Sequence, residues 1–225
     1  PTGTGKTIIF LKYLKTKVGI SLIIAPSIQL VNQTYNRAKT RGFKNVYRYY
    51  SKYKDNVDIK KHNIVIITTY QSAGKKDNFL LSLHYDTIIF DECHRTSLST
   101  VKSDISCFQR FLHYENTKEK FFFTATEKNV SMGEEYDEEY DEEYDEEYDE
   151  ELYMSSMNDE DLYGKEIFRY KFSQAIKDKY LSDYDIKIVV TQDKKKSLIK
   201  KVKEQLQKTK TKILIYCSNV GLTTE

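Results

Sequence analysis

Cysteine is scarce and unpaired in this chain. Cys93, Cys107 and Cys217 are the only three among 225 residues, and no CxxC pair exists. A zinc site and a disulfide framework are therefore disfavoured. A reducing intracellular setting is expected: cytoplasm, nucleus or a viral factory. No apolar run approaches the roughly 18 residues that a membrane-spanning helix needs, so no membrane partner is expected. No signal peptide is visible. The chain opens at Pro1 inside a Gly-rich motif and stops at Glu225 shortly after an apolar, strand-like run. A fragment cut at both ends is expected.

Charge of one sign is missing from one stretch. Residues 134–151 carry 14 of the 34 acids and no base, which leaves 20 acids against 36 bases elsewhere, a surplus of 16. That basic body suits a polyanionic partner. A Lys-, Asn- and Ile-rich chain from an AT-rich genome would show the same surplus, so charge alone leaves both readings open. The acidic stretch repeats EEYD, with Tyr136, Tyr140, Tyr144 and Tyr148 at a spacing of four. Like charges at every i,i+4 pair oppose a helix, so a disordered acidic linker over 131–164 is expected. A nucleic-acid mimic competing for the basic body is the alternative.

The apolar pattern predicts an alternation of strands and helices. Helices are expected at Thr7–Leu14, Ile28–Lys39, within Gln71–His84 and at Ser99–Tyr114. Strands are expected at Ser21–Ala25, Val46–Ser51, Asn63–Tyr70, Thr87–Phe90 and Lys120–Thr126. Most of these strands are apolar throughout, which argues an α/β fold with a parallel sheet covered on both faces. Beyond the acidic stretch, strands at Lys165–Lys171, Asp185–Gln192 and Lys212–Cys217 flank helices at Ser173–Lys179 and Lys195–Lys208. These read as the start of a second α/β unit.

Two motifs carry chemistry. PTGTGKT at 1–7 supplies most of a phosphate-binding loop. Gly3 and Gly5 let backbone N–H groups turn toward phosphate oxygens, with Thr2 and Thr4 in the same loop. Lys6 reaches the β and γ phosphates, and Thr7 offers a hydroxyl to Mg²⁺ at the start of a helix. Downstream, TIIFDECH places Asp91 and Glu92 at the end of a buried strand, where open α/β sheets bind ligands. Asp91 would hold Mg²⁺ through its water shell, and Glu92 would deprotonate an attacking water.

With these motifs in place, the chain resembles the superfamily 2 helicases and translocases of the DExH group. The nearest subgroup is the motor of type I and III restriction enzymes and excision-repair helicases. PTGTGKT is similar to motif I and DECH to motif II. APSIQLVNQ, ITTYQS and TAT resemble motifs Ia, Ic and III, YKFSQAIKDKYLSDY the approach to a second motor domain, and ILIYCSN motif IV. The resemblance implies a RecA-like P-loop domain over 1–130, with its first strand missing, and the start of a second RecA-like domain over 165–225. It implies ATP and Mg²⁺ as cofactors, with Lys6, Asp91 and Glu92 catalytic. Pro26, Ser27, Gln29, Thr68, Thr69, Tyr70 and Gln71 would lie along a nucleic-acid strand, although plain helix capping also explains the Ser and Thr residues. His94, Thr124, Ala125 and Thr126 would couple hydrolysis to movement, although a lone His is commonly just a satisfied one.

The resemblance favours DNA over RNA as partner, together with a second motor domain and restriction- or repair-type subunits. Motifs V and VI are not visible, and neither is an arginine finger, so weak hydrolysis by the isolated fragment is expected. The expectation is an ATP-dependent helicase or translocase. A pseudo-helicase that only binds nucleic acid, and a P-loop kinase for a small molecule, are the rivals. The kinase reading has no use for TTYQS, TAT or the basic body.

Overall fold

The computed structural model describes residues 3–51, 53–75, 78–101, 108–130, 152–184 and 203–204. In chain order the elements are α1 (Lys6–Leu14), β1 (Ile20–Ala25), α2 (Ile28–Thr40), β2 (Asn45–Tyr50), β3 (Tyr53–Lys54), β4 (Ile64–Thr69), α3 (Tyr70–Ala73) and β5 (Tyr85–Asp91). Then come β6 (Leu98–Val101), β7 (Thr117–Phe123), β8 (Leu152–Ser155), α4 (Glu160–Tyr163) and α5 (Phe172–Lys177). Short 3-10 turns at Phe79–Ser82 and Cys93–Thr96 lead into and out of β5.

Six strands form one sheet in the order β3-β2-β4-β1-β5-β7. Every pairing is parallel except that of the short β3 with β2. Strands β1 and β4 read as continuous apolar runs because both faces are covered. Ile23 and Ala25 face one core with Phe10, Leu11 and Leu14 of α1 and Val31 and Ala38 of α2. Leu22 and Ile24 face the other core, with Tyr70, Leu80, Tyr85 and Phe111. The parallel arrangement gathers the strand ends Ala25, Thr69, Asp91 and Phe123 on one edge of the sheet. The segments APSIQLVNQ, ITTYQS, DECH and TAT therefore all meet that edge, at the ends of β1, β4, β5 and β7. Helix α2 is delimited by Ser27 as N-cap and carries Arg37 and Lys39 in its last turn, where cations suit the helix dipole.

Three expectations differ from what is observed. Residues 99–101 of the expected helix Ser99–Tyr114 belong to β6, paired antiparallel with β8, and residues 108–113 are turns. The partner strand lies some fifty residues onward, so the local pattern holds no trace of it. The expected strand Lys165–Lys171 has no regular structure; Ile167 and Phe168 are exposed, and among the described residues no strand pairs with them. The stretch 131–164 is not uniformly a linker. Past the acidic repeat, β8 returns to β6, Ser155 Oγ donates to Thr96 O at 2.6 Å, and Tyr163 Oη lies 2.7 Å from Thr96 Oγ1. Ser156 Oγ accepts from Val130 N at 2.8 Å, and Met157 N donates to Lys128 O at 3.2 Å.

Residues 1–181 form one compact unit and 182–225 a second. The first therefore extends past the expected division at 165, because Ala175 is fully buried and Leu181 sits beside Gly3. Of the second unit only 182–184 and 203–204 are described, so the strands and helix expected beyond Asp185 lie outside the described residues, as does the acidic repeat. Among the described residues no helix is long and apolar enough to cross a membrane.

Candidate active site

The Gly-rich loop takes its shape from two left-handed glycines. Gly3 has φ +85° and Gly5 φ +91°, a region that any side chain would make costly. Gly5 caps α1 without a side chain, and its carbonyl accepts the first helical bonds from Ile8 and Ile9. The first turn carries no acid. The helix start thus presents backbone donors and its positive end, with no acid in its own first turn. Thr7 is half-buried in that first turn, Thr4 is half-buried in the loop, and Thr2 lies outside the described residues.

Lys6 reaches from α1 to the end of β5. Its Nζ lies 3.2 Å from Glu92 Oε1 and is screened from solvent, yet it makes no hydrogen bond. A buried ammonium with three donors and one carboxylate neighbour has unused capacity, which is what an incoming phosphate would take up. Asp91 is only 7% exposed. Burial, then the negative charge of Glu92, pushes its carboxyl up to about 6, against the pull of Lys6. A cation beside it would restore the charged form. Among the described residues no group of three or more His, Cys, Asp or Glu could hold a metal alone. That suits Mg²⁺, which keeps waters and is bound by one or two protein carboxylates together with phosphates. The donor set of Lys6, Thr7 and Asp91 therefore fits ATP with Mg²⁺.

Glu92 is held in a left-handed backbone conformation, φ 53° and ψ 51°, uncommon for a residue other than glycine. Its two oxygens face different neighbours. Oε1 meets Lys6, and Oε2 lies 3.5 Å from His94 Nδ1. His94 Nδ1 also lies 2.9 Å from Thr124 Oγ1. Thr124 Oγ1 donates to Thr126 O at 2.6 Å and accepts from Thr126 N at 3.2 Å. The single hydroxyl proton is thus committed to Thr126, so His94 Nδ1 must be the donor in its bond to Thr124. Lys6, Glu92, His94, Thr124 and Thr126 form one continuous polar chain, and Ala125 sits half-buried inside the last turn.

The expected nucleic-acid set divides. Ser27, Gln29 and Gln71 are exposed along the same sheet edge. Pro26 is buried, as are Thr68 at 0%, Thr69 at 4% and Tyr70 at 1% exposure. The sheet and its helices enclose these four side chains, so only their main-chain groups are left to face a strand at that edge. Thr68 Oγ1 donates to Tyr49 O at 2.6 Å, and Thr69 Oγ1 caps α3 by accepting from Ser72 N at 3.2 Å. Ser27 Oγ likewise accepts from Leu30 N at 3.3 Å. Tyr70 Oη donates to Asp91 O at 3.0 Å. This bond joins the end of β4 to the acidic pair, and nothing in the sequence announces it beyond an aromatic residue following two threonines.

Residues 1–129 match the family described as the type III restriction enzyme res subunit. Over 209 residues the chain is 27% identical to a probable helicase, A859L, of African swine fever virus (isolate Tick/Malawi/Lil 20-1/1983), covering 82% of this chain and 20% of that protein. A solved structure is similar too: a nuclease-deletion mutant of the Type ISP restriction-modification enzyme LlaGI in complex with a DNA substrate mimic. It shows 25% identity and a TM-score of 0.55, covering 81% of this chain and 16% of that one. The chain thus spans about a fifth or less of either relative. With a phosphate-loop helix, a DECH turn on a mostly parallel RecA-like sheet and a family match over more than half its length, this chain belongs to the type III restriction enzyme res subunit family, within the superfamily 2 helicase motors.

Proposed function

We propose that this chain is the ATP-handling part of a nucleic-acid-dependent ATPase that translocates along, or unwinds, its substrate. The observation that carries the reading is Glu92, suspended between the underused ammonium of Lys6 and the His94–Thr124 chain. Bound ATP supplies the scissile phosphoanhydride and Mg²⁺ neutralises charge developing on the phosphates. Lys6 and the backbone of Gly3–Gly5 bind the phosphates, while Thr7 and Asp91 hold the ion. Glu92 accepts the proton of the attacking water. His94 orients Glu92 and links it to Thr124 and Thr126, so that the state of the nucleotide is felt in the loop after β7.

Ser27, Gln29 and Gln71 offer sequence-independent contacts to one strand's backbone, which suits a motor that must pass any sequence. DNA is favoured over RNA, in keeping with the DNA substrate mimic in the LlaGI complex. A second motor domain of the parent protein is the further partner that this reading requires. Restriction- or repair-type subunits are the partners this family suggests.

The test is ATP hydrolysis by the parent protein with and without single-stranded DNA, duplex DNA and RNA, beside Lys6→Ala. Stimulation by polynucleotide and its loss in Lys6→Ala, by about a hundredfold or more in rate, are expected. Hydrolysis indifferent to polynucleotide would favour a small-molecule P-loop enzyme. Binding of DNA without hydrolysis would favour a pseudo-helicase.

A further inference from the structure

Tyr70 stands between the two halves of this proposed motor. In the chain it lies between Thr69 and the exposed Gln71, at the edge where nucleic acid is expected. In space its ring turns inward, stacks on Phe108 at 5.4 Å with planes 15° apart, and packs beside Phe90. Its hydroxyl is buried and donates to the carbonyl of Asp91 at 3.0 Å.

That carbonyl belongs to the peptide joining Asp91 to Glu92. The orientation of this peptide plane helps set the backbone rotation at Glu92, whose φ of 53° is the uncommon left-handed value. Such a conformation persists only where its surroundings over-determine it. Tyr70 is one of those determinants. A phenol with so little solvent contact loses its partner only at the expense of an unmet buried donor, so the peptide and the ring are fixed to each other. Tyr70 also opens α3, which Thr69 caps and whose second residue is Gln71. A displacement of Gln71 by a bound strand is therefore carried by α3 into the ring and on to the Asp91–Glu92 peptide. His94 grips Glu92 independently, through its side chain.

We infer that Tyr70 is a positioning residue that couples nucleic-acid contact on α3 to the placement of the Glu92 carboxylate, through its hydroxyl on the Asp91 carbonyl. The inference rests on the functional reading above and adds to it a connection inside one motor domain, separate from the His94–Thr124 chain.

Tyr70→Phe in the full-length parent isolates the hydroxyl, since the ring and its stacking remain. Two affinities are measured for the non-hydrolysable analogue AMP-PNP with Mg²⁺, one with and one without saturating single-stranded DNA; their ratio is the coupling. The ratio is expected to fall toward unity, by about fivefold or more, the scale of ordinary site-to-site coupling. Affinity for DNA in the absence of nucleotide is expected to stay within about twofold, because Ser27, Gln29 and Gln71 are untouched. Phe108→Leu, which loosens the stacking yet keeps the hydroxyl, is expected to lower the melting temperature and retain the ratio. A wild-type ratio of one removes the functional reading, and the inference with it. A wild-type ratio above one that Tyr70→Phe preserves overturns the inference alone, as does a loss equally large in Phe108→Leu.

Discussion

The two edges of the sheet use the same residue types to opposite ends. At the carboxyl edge, Lys6 meets a single carboxylate without a hydrogen bond, and burial and Glu92 push Asp91 up to about 6. At the amino half, Glu119 of β7 accepts from Tyr13 Oη at 2.8 and 2.9 Å and from Thr87 Oγ1 at 2.5 Å, and pairs with Lys17 Nζ at 2.8 Å. Burial favours the protonated form of Glu119, yet these hydrogen bonds outweigh it and hold the group below its ordinary value. Asp86 nearby is held low by the Lys118 ammonium and the Gly19 N–H. A satisfied cluster holds a fold together, and an unsatisfied one holds room for a ligand. Helix α1 spans the contrast, with Lys6 at one edge and Tyr13 at the other.

The contrast has a sign in pH. Asp91 has its folded pKa above the ordinary 3.8, so its cost to stability builds as pH rises from 3.8 to about 6 and is complete above that. Asp91→Asn removes the penalty. It is expected to lose hydrolysis while gaining up to about 3 kcal/mol of stability at pH 7, read from urea titrations at pH 4 and pH 7. A loss of stability at pH 7 would break the comparison at its strongest point.

Glu119 has the reverse sign. Its folded pKa is depressed, so its contribution is present above the ordinary value of 4.5 and is lost as pH falls through the folded value. Glu119→Gln is expected to cost about 1–3 kcal/mol near neutral pH, less at acidic pH, and to leave nucleotide affinity of the folded protein unchanged. Denaturation against pH, beside nucleotide titration, checks both halves.

Gly19→Ala sharpens the same edge. A Cβ there would stand 2.2 Å from Asp86 Oδ2, and the Gly19 N–H that Oδ2 accepts from at 2.7 Å would lose its partner as Asp86 swings away. A loss of about 1–2 kcal/mol in thermal or urea melting is expected. The smallest effect belongs to Ser27→Ala at the carboxyl edge, about 0.5–1 kcal/mol from the lost cap of α2. A larger loss would mean that this edge, too, is built chiefly for stability.

Much of this was legible in the sequence. Doubly buried strands announced the parallel sheet, which then gathered the motifs on one edge. The family resemblance implies a link between His94 and Thr124, and the two side chains lie 2.9 Å apart. What stayed hidden depends on partners far apart in the chain. Tyr13, Lys17, Thr87 and Glu119 are unremarkable one by one and meet only because α1 crosses β5 and β7. Residues 99–101 read as the start of a helix because the strand they pair with begins only at Leu152. Thr68 and Tyr70 looked available because their motif follows a strand, whereas Tyr49 O and Asp91 O already engage their hydroxyls.

The pairing of Lys128 with Met157 and of Val130 with Ser156 has a genetic consequence. The two arms of the chain rejoin at that point whatever number of residues separates them. The entropic cost of closing a segment grows only with the logarithm of its length, about 0.6 kcal/mol for each doubling. In-frame gain or loss of a twelve-nucleotide YDEE unit would therefore leave the register of β6 and β8 intact. A change in repeat number would thus leave the strand pairing on either side of it in place.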